Sequence, residues 1–224
     1  MFIGHFGVGL AAKGIDKKPS LGTYLMAAQF LDLIWPVFLI LGLEKIKIEV
    51  GTTALSPVNF EYYPFTHSLG AVVLWGLLFA LIYLIIKKNI KSSVIIFFLV
   101  ISHWLLDFIV HTQDLPLLPW MKTKVGLGLW NSAGLSITIE ILIFIVGAGI
   151  YIHKTHSKNE KGIIGIWSLL VFLLAMYFLN IFGPPPPSAE PVAYVGLAQW
   201  FLILWGYWAD KNRTSERRHK SMYY

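Results

Sequence analysis

The chain has 224 residues, of which 56% are hydrophobic and 13% are charged, and its formal net charge is +6. A mean hydropathy of +0.66 lies far above the range of soluble globular domains and predicts a single integral-membrane domain over residues 1–224. The sequence has no cysteine, which excludes disulfides, thiolate metal ligands and cysteine nucleophiles within it.

Apolar stretches of about 20 residues recur along the chain and predict an all-α bundle of about six transmembrane helices. They are Leu21–Leu43, His67–Ile86, Ser92–His111, Gly134–His153, Gly162–Phe182 and Val192–Trp208. The segment Met1–Ala12 is too short to cross a bilayer, so it predicts a short helix at the interface or partway into the membrane. Pro36 predicts a kink in the first span, because proline removes a helical hydrogen bond.

Basic residues collect in alternate connections and predict a direction of insertion. They are Lys13, Lys17 and Lys18, then Lys87, Lys88 and Lys91, then Lys154, Lys158 and Lys161, and finally Lys211, Arg213, Arg217, Arg218 and Lys220. Cytoplasmic loops are enriched in such residues, so both termini are predicted to be cytoplasmic, in a bacterial or archaeal cytoplasmic membrane. This topology accounts for the net positive charge, and no nucleic-acid partner is expected.

A stripe of polar residues in the third span is the strongest functional signal. His103, Asp107 and His111 follow one another at intervals of four residues and share one helical face. Ionisable residues are costly in lipid, and imidazole with carboxylate is a typical donor set for a divalent metal. Successive members lie about 6 Å apart along the axis, so His103 and His111 are too distant for one ion. Either two ions bind, or one member orients another.

Other polar residues join this stripe at the predicted outer surface. His67 opens the second span beside the end of the third, and Asp32 lies inside the first span, where it must pair, neutralise or bind a cation. Glu140 in the fourth span and Asp114 just after the third are candidate catalytic carboxylates. The long loops Glu44–Thr66 and Thr112–Ala133 are predicted to cap the site.

These assignments divide the chain into regions. Residues 1–153 are predicted to carry the metal site, residues 162–208 to form an accessory transmembrane hairpin, and residues 209–224 to form a basic cytoplasmic tail. The sequence leaves the oligomeric state open, including a homo-oligomer.

Four short motifs resemble a known family. They are Gly4-His5-Phe6-Gly7, Phe30-Leu31-Asp32, Phe65-Thr66-His67-Ser68-Leu69 and Ser102-His103-x3-Asp107, which cover about the first half of the chain. In order and spacing they resemble the YdjM-like bacterial inner-membrane family of membrane-bound metal-dependent hydrolases. That family's pattern is in turn similar to the all-helical zinc-dependent phospholipase C and S1/P1 nuclease superfamily.

The resemblance implies that His5, Asp32, His67, His103 and Asp107 are ligands of zinc. It departs from the superfamily at Ser136, which stands four residues before Glu140 where a His is expected, so one or two ions are implied rather than three. Manganese or iron are alternatives to zinc.

The predicted function is hydrolysis of a phosphoester in a membrane lipid or lipid-linked substrate by a metal-activated water. Ester or amide hydrolysis stays open. Two other classes also stay open: a small transporter or ion-conducting protein that uses the intramembrane Asp, Glu and His residues, and a scaffold whose metal only fixes the bundle.

Overall fold

A computed structural model describes residues 1–215, and these residues form a helical bundle with three small β-ribbons. The helices are α1 (Phe2–Ala11), α2 (Leu21–Ala28), α3 (Phe30–Ile40), α4 (Pro64–His67), α5 (Leu69–Lys87), α6 (Ile90–Val110), α7 (Ala133–Lys154), α8 (Glu160–Phe182) and α9 (Ala189–Lys211). The strands are β1 (Lys45–Ile48), β2 (Val58–Tyr62), β3 (Leu115–Pro116), β4 (Lys124–Val125), β5 (His156–Ser157) and β6 (Arg213–Thr214). The predicted all-α class is confirmed.

Five helices, α5 to α9, are long and apolar enough to cross a membrane, and the count rises to six if α2 and α3 form one span. Their outward faces carry large apolar side chains. Leu74 and Ile85 on α5, for example, are 68% and 67% exposed, as expected for surfaces that face lipid. The chain is therefore an integral membrane protein in its architecture.

The first predicted span is bent, but the bend does not lie at Pro36. Helices α2 and α3 meet at Gln29 at an angle of 56°, whereas α3 continues through Pro36. The buried side chain of Gln29 donates a hydrogen bond to the side-chain oxygen of Gln199 on α9, at 2.7 Å. Pro36 packs on Gly196 of the same helix, where a Cβ would lie 2.5 Å from the proline ring. The contact with α9 thus coincides with the bend, and the predicted kink at Pro36 is wrong.

Helix α1 lies inside the bundle, packed among other helices rather than on the surface of the protein. Ile3, Phe6 and Leu10 have no exposed surface. Glycines let α1 approach α7 closely: a Cβ on Gly147 would lie 2.0 Å from the carbonyl oxygen of Gly7. Small residues at helix crossings permit this contact between backbones inside a membrane bundle. As a result, one face of α1 is directed into the protein interior.

The connections close the two ends of the bundle. At one end, β1 pairs with β2 and β3 pairs with β4, all within the two long loops predicted to form a cap. At the other end, β5 pairs with β6 and ties the connection after α7 to the end of α9. Arg217, Arg218 and Lys220, which belong to the predicted basic tail, lie outside the described residues.

Candidate metal centre

Five predicted ligands converge from separate helices. They are His5 on α1, Asp32 on α3, His67 on α4, and His103 and Asp107 on α6. Their donor atoms form two groups, His5–His103–Asp107 and Asp32–His67–His103, and within each group all donors lie within 4.8 Å of one another. These groups could hold a metal ion.

The first group surrounds Asp107, which is buried. His5 Nε2 lies 3.1 Å from Asp107 Oδ1, and His103 Nε2 lies 3.1 Å from Asp107 Oδ2. The His5 and His103 rings are stacked, with centroids 3.6 Å apart and planes 4° apart. The amino group of Met1 donates to Asp107 Oδ1 at 2.8 Å. Both carboxylate oxygens of Asp107 therefore face nitrogen atoms.

The second group is looser and lies beside the first. His67 Nε2 lies 3.5 Å and His103 Nε2 lies 3.7 Å from Asp32 Oδ1. His67 Nε2 is also 3.9 Å from Asp107 Oδ2. His103 belongs to both groups, so it joins them.

The distances between the donor atoms of each group are those expected for ligands of one cation. Two ligands about 2.0 to 2.1 Å from a tetrahedral ion lie about 3.4 Å apart. The nitrogen-to-oxygen distances in the two groups, from 3.1 to 3.9 Å, bracket that value. In the first group the Met1 ammonium lies 3.1 Å from His5 Nε2 and 2.8 Å from Asp107 Oδ1, so an ion bound there would have to displace it or follow the loss of its proton.

Two histidine nitrogens support this fit, because they are buried and have no hydrogen-bond partner. They are His103 Nε2 and His5 Nδ1. A buried polar atom that lacks a partner costs about 1 to 3 kcal/mol, so such atoms are rare without a reason. For His103 Nε2, which faces two carboxylates, a bound cation would supply that reason.

Hydrogen bonds on the far side of two rings fix the direction of the ligand nitrogens. His103 Nδ1 lies 2.8 Å from the carbonyl oxygen of Ala28, to which only a protonated Nδ1 can donate. This leaves the Nε2 lone pair for the site. His67 Nδ1 lies 2.7 Å from the hydroxyl oxygen of Thr66, which in turn donates to Glu44 Oε2 at 2.7 Å. Because Thr66 gives its only proton to Glu44, His67 Nδ1 donates to Thr66 and its Nε2 also faces the site.

Glu44 was not predicted as a site residue. It is 2% exposed, and its Oε1 accepts hydrogen bonds from the backbone amides of Phe65 and Thr66 at 2.8 and 2.9 Å. Burial raises the pKa of Glu44. The sequence offers three glutamates in this loop, namely Glu44, Glu49 and Glu61, and only the fold distinguishes the buried one.

His111 lies outside both donor groups, although it was predicted as a ligand. Helix α6 ends at Val110, and the extended backbone of His111 removes it from the helical stripe. His111 Nδ1 instead contacts Asp114 Oδ1 at 3.0 Å. Burial raises the pKa of Tyr63, whose hydroxyl donates to Asp114 at 3.4 Å. Asp114 therefore supports His111 and belongs to neither donor group.

Glu140, the other predicted catalytic carboxylate, is buried on α7 and lies close to the backbone amides of Ile3 and Gly4. Its Oε2 has no hydrogen-bond partner. It belongs to neither donor group, but it lines the same cavity as Asp107. Glu140 therefore keeps one buried, unsatisfied oxygen next to the cavity.

The cavity has a volume of about 610 Å³ and connects the donor groups with the loop caps. Asp32, His67, Asp107, His111 and Glu140 lie on its wall, together with residues 53–58 of the first long loop. The predicted cap over the site is confirmed for this loop. A further part of the wall comes from the end of α8 and the proline-rich connection to α9, to which the sequence had assigned no role.

No protein-family model, curated protein sequence or solved structure matches this chain. The fold and the geometry of the site therefore carry the functional argument.

Proposed function

We propose that the chain is a membrane-embedded, metal-dependent hydrolase that cleaves a phosphoester in a lipid or lipid-linked substrate. The observation that carries the proposal is the meeting of three imidazoles and two carboxylates, from four helices, in two groups that share His103. The YdjM-like resemblance of the motifs that supply these residues supports the same activity.

The donor set favours a divalent transition metal, with zinc the first candidate and manganese or iron the alternatives. Imidazole nitrogen with carboxylate oxygen suits zinc, whereas calcium and magnesium prefer oxygen ligands alone. His103, together with either His5 and Asp107 or Asp32 and His67, would hold the ion. A zinc ion bound there would lower the pKa of a coordinated water to about 7 and polarise a phosphoryl oxygen.

Glu140 is the proposed proton acceptor. Glu140 lines the cavity and keeps a buried, unpartnered oxygen, which could accept the proton that a water loses as its oxygen attacks phosphorus. The bond from phosphorus to the ester oxygen then breaks, and the released alcohol takes up a proton. His111, held by Asp114, lines the same cavity.

The shape of the cavity favours a lipid over a soluble phosphoester. One part of its wall carries the donor groups, and the other is formed by Leu179, Ile181, Pro184–Pro186 and Val195. Leu179 and Val195 are 64% and 62% exposed on the outer face of the bundle, so this wall adjoins the lipid phase. A headgroup could reach the donors while its acyl chains remain in contact with the membrane.

Hydrolysis fits the arrangement better than ion conduction. A second polar cluster, around Lys13 and Asp210, lies at the opposite end of α1. Between the two clusters α1 contributes Phe6 and Leu10, which are fully buried in the apolar core. A proton or cation pathway would need polar groups or water through this layer.

The test combines metal analysis with an activity assay on full-length protein in detergent. We expect at least one transition-metal ion per chain and hydrolysis of members of a phospholipid and phosphoester panel. His103→Ala and Asp107→Asn should remove the metal and reduce hydrolysis about a thousandfold, as expected when both the activated water and charge stabilisation are lost.

His153→Ala is the matched control, because His153 is an exposed histidine at the other end of α7. It should retain both metal and activity. Activity that survives His103→Ala and Asp107→Asn would refute the proposal. Gradient-driven uptake into liposomes, with no hydrolysis of the panel, would favour the transporter.

A further inference from the structure

The end of the bundle opposite the metal centre carries a second cavity, of about 460 Å³. It lies between the connection that follows α1 and the end of α9. Its lining is Lys13, Lys17, Lys18, Asp210, Arg213, Thr214 and Ser215. Four of these residues are cationic and one is anionic, so the cavity carries an excess of positive charge.

Arg213 is the most unusual member because it is 7% exposed and has no carboxylate partner among the described residues. Its guanidinium donates to the hydroxyl and carbonyl oxygens of Thr155, both at 2.9 Å, to Ser157 Oγ at 2.6 Å and to the Gly162 carbonyl at 3.0 Å. These acceptors are neutral, so they orient the side chain without compensating its charge. A buried charge that is hydrogen-bonded but uncompensated attracts a counterion.

Asp210 does not supply that compensation, since its carboxylate is already shared by three donors. Oδ2 accepts from Lys13 Nζ at 2.8 Å and from the backbone amide of Leu21 at 3.0 Å. Oδ1 accepts from the Tyr151 hydroxyl at 2.7 Å. The charge of Asp210 is therefore balanced by Lys13.

Lys17 and Lys18 add two exposed cations at the mouth of the cavity. The only acceptor near the Lys17 ammonium, among residues 1–215, is the Ser215 carbonyl at 3.4 Å. Together with Arg213, these two lysines give the cavity three positive charges that the described residues leave uncompensated.

We propose that this cavity binds an anionic phosphate group. Its volume corresponds to about fifteen water molecules at about 30 Å³ each, which is ample for a tetrahedral oxyanion and its hydration. A planar guanidinium flanked by ammonium groups is a typical phosphate recognition set. The cavity lies beyond the helix ends, at the membrane surface, which makes the headgroup of an anionic phospholipid the first source and free phosphate the second.

The experiment measures ligand-dependent thermal stability of the full-length protein in a zwitterionic detergent. Three additives are compared: phosphatidylglycerol, phosphatidylcholine and inorganic phosphate. Phosphatidylglycerol should raise Tm, whereas phosphatidylcholine should leave it unchanged. An equal rise with inorganic phosphate at matched concentration would support the same site and identify the free anion as the source.

Lys17→Gln/Lys18→Gln should weaken the apparent affinity for the anion about thirtyfold, since each lysine near lipid phosphate contributes about a factor of five. These side chains are exposed, so the variant should fold normally. Arg213→Lys should also weaken binding, because lysine cannot make the four hydrogen bonds that hold the positive charge of Arg213 in place.

Lys154→Gln/Lys161→Gln is the matched control, since it removes the same charge from exposed positions at the same end of the bundle. It should leave the affinity unchanged. Equal weakening in this control, undiminished binding by Lys17→Gln/Lys18→Gln, or no stabilisation by either anion would overturn the proposal.

Discussion

The bundle contains two buried polar clusters that are satisfied in different ways. Around Asp210, the carboxylate, the Lys13 ammonium and the Tyr151 hydroxyl are joined by hydrogen bonds of 2.7 to 2.8 Å. Around His103, the polar atoms are equally buried, but His103 Nε2, His5 Nδ1 and Glu140 Oε2 have no hydrogen-bond partner. The polar groups around Asp210 are hydrogen-bonded within the protein, whereas three polar atoms around His103 are not.

The difference separates a structural role from a ligand-binding one. A fully satisfied buried network stabilises one arrangement of helices and needs nothing more. A network with unsatisfied atoms is costly unless something else binds to it. The polar groups are buried at both ends, so hydrogen-bond satisfaction, rather than burial, distinguishes the two clusters.

The strongest test of the difference between the two clusters removes one carboxylate charge from each. Asp210→Asn leaves the buried ammonium of Lys13 without its counterion, which should cost about 3 to 5 kcal/mol of stability. Metal content per folded chain should be unchanged. Asp107→Asn should abolish metal binding, and because Asp107 also pairs with the buried Met1 ammonium at 2.8 Å, it should destabilise the metal-free protein as well. Thermal unfolding and elemental analysis of both variants check this.

The opposite pattern would contradict the comparison. If Asp210→Asn lost the metal and Asp107→Asn kept it, the satisfied cluster would be the binding site. If the wild-type protein and both variants lacked metal, the two clusters would play the same structural role.

A second prediction concerns the helix crossing that places His5. Gly147→Ala would put a Cβ 2.0 Å from the Gly7 carbonyl, so α1 must shift. Overpacking of this kind typically costs about 1 to 3 kcal/mol, and here it should also weaken metal binding because α1 carries His5. Gly149→Ala is the control on the same helix, since a Cβ there has no neighbour within 4 Å. Equal metal affinity in the two variants would mean that the position of α1 does not matter to the site.

The smallest expected effect tests the orientation of His67. Glu44→Gln disturbs the hydrogen bonds from Glu44 through Thr66 to the imidazole, and such supporting partners typically contribute 10- to 100-fold, roughly, to metal affinity. Glu61→Gln, in the same loop, removes the same charge from a more exposed residue that pairs with Lys47. Metal titration should separate the two variants. If the two variants bound metal with the same affinity, Glu44 would stabilise the loop without contributing to metal binding.

Much of the site could be predicted because its strongest signal is local. His103 and Asp107 lie one helical turn apart, and α-helical geometry alone places them on the same face. Asp32 and His67 could be added because ionisable residues in apolar spans need partners. His5 depended on the family resemblance, since the sequence did not fix the depth of α1.

The rest depended on contacts between distant parts of the chain. The bend at Gln29 coincides with the hydrogen bond to Gln199, and no helix-breaking residue marks it in the sequence. The end of α6 at Val110 has no glycine or proline signal either, so the polar stripe was extended one position too far, to His111. Inferring the interior position of α1 requires pairing Gly7 with Gly147, and that pairing depends on knowing that the two helices cross.

His103 imposes a limit on stoichiometry. Its Nδ1 is engaged by the Ala28 carbonyl, so only Nε2 can coordinate, and both three-residue groups draw on that single nitrogen. A lone pair serves one cation at a time. If the two groups hold metal as proposed, they would be alternative sites for one ion, and moving the ion from the first group to the second would exchange His5 and Asp107 for Asp32 and His67.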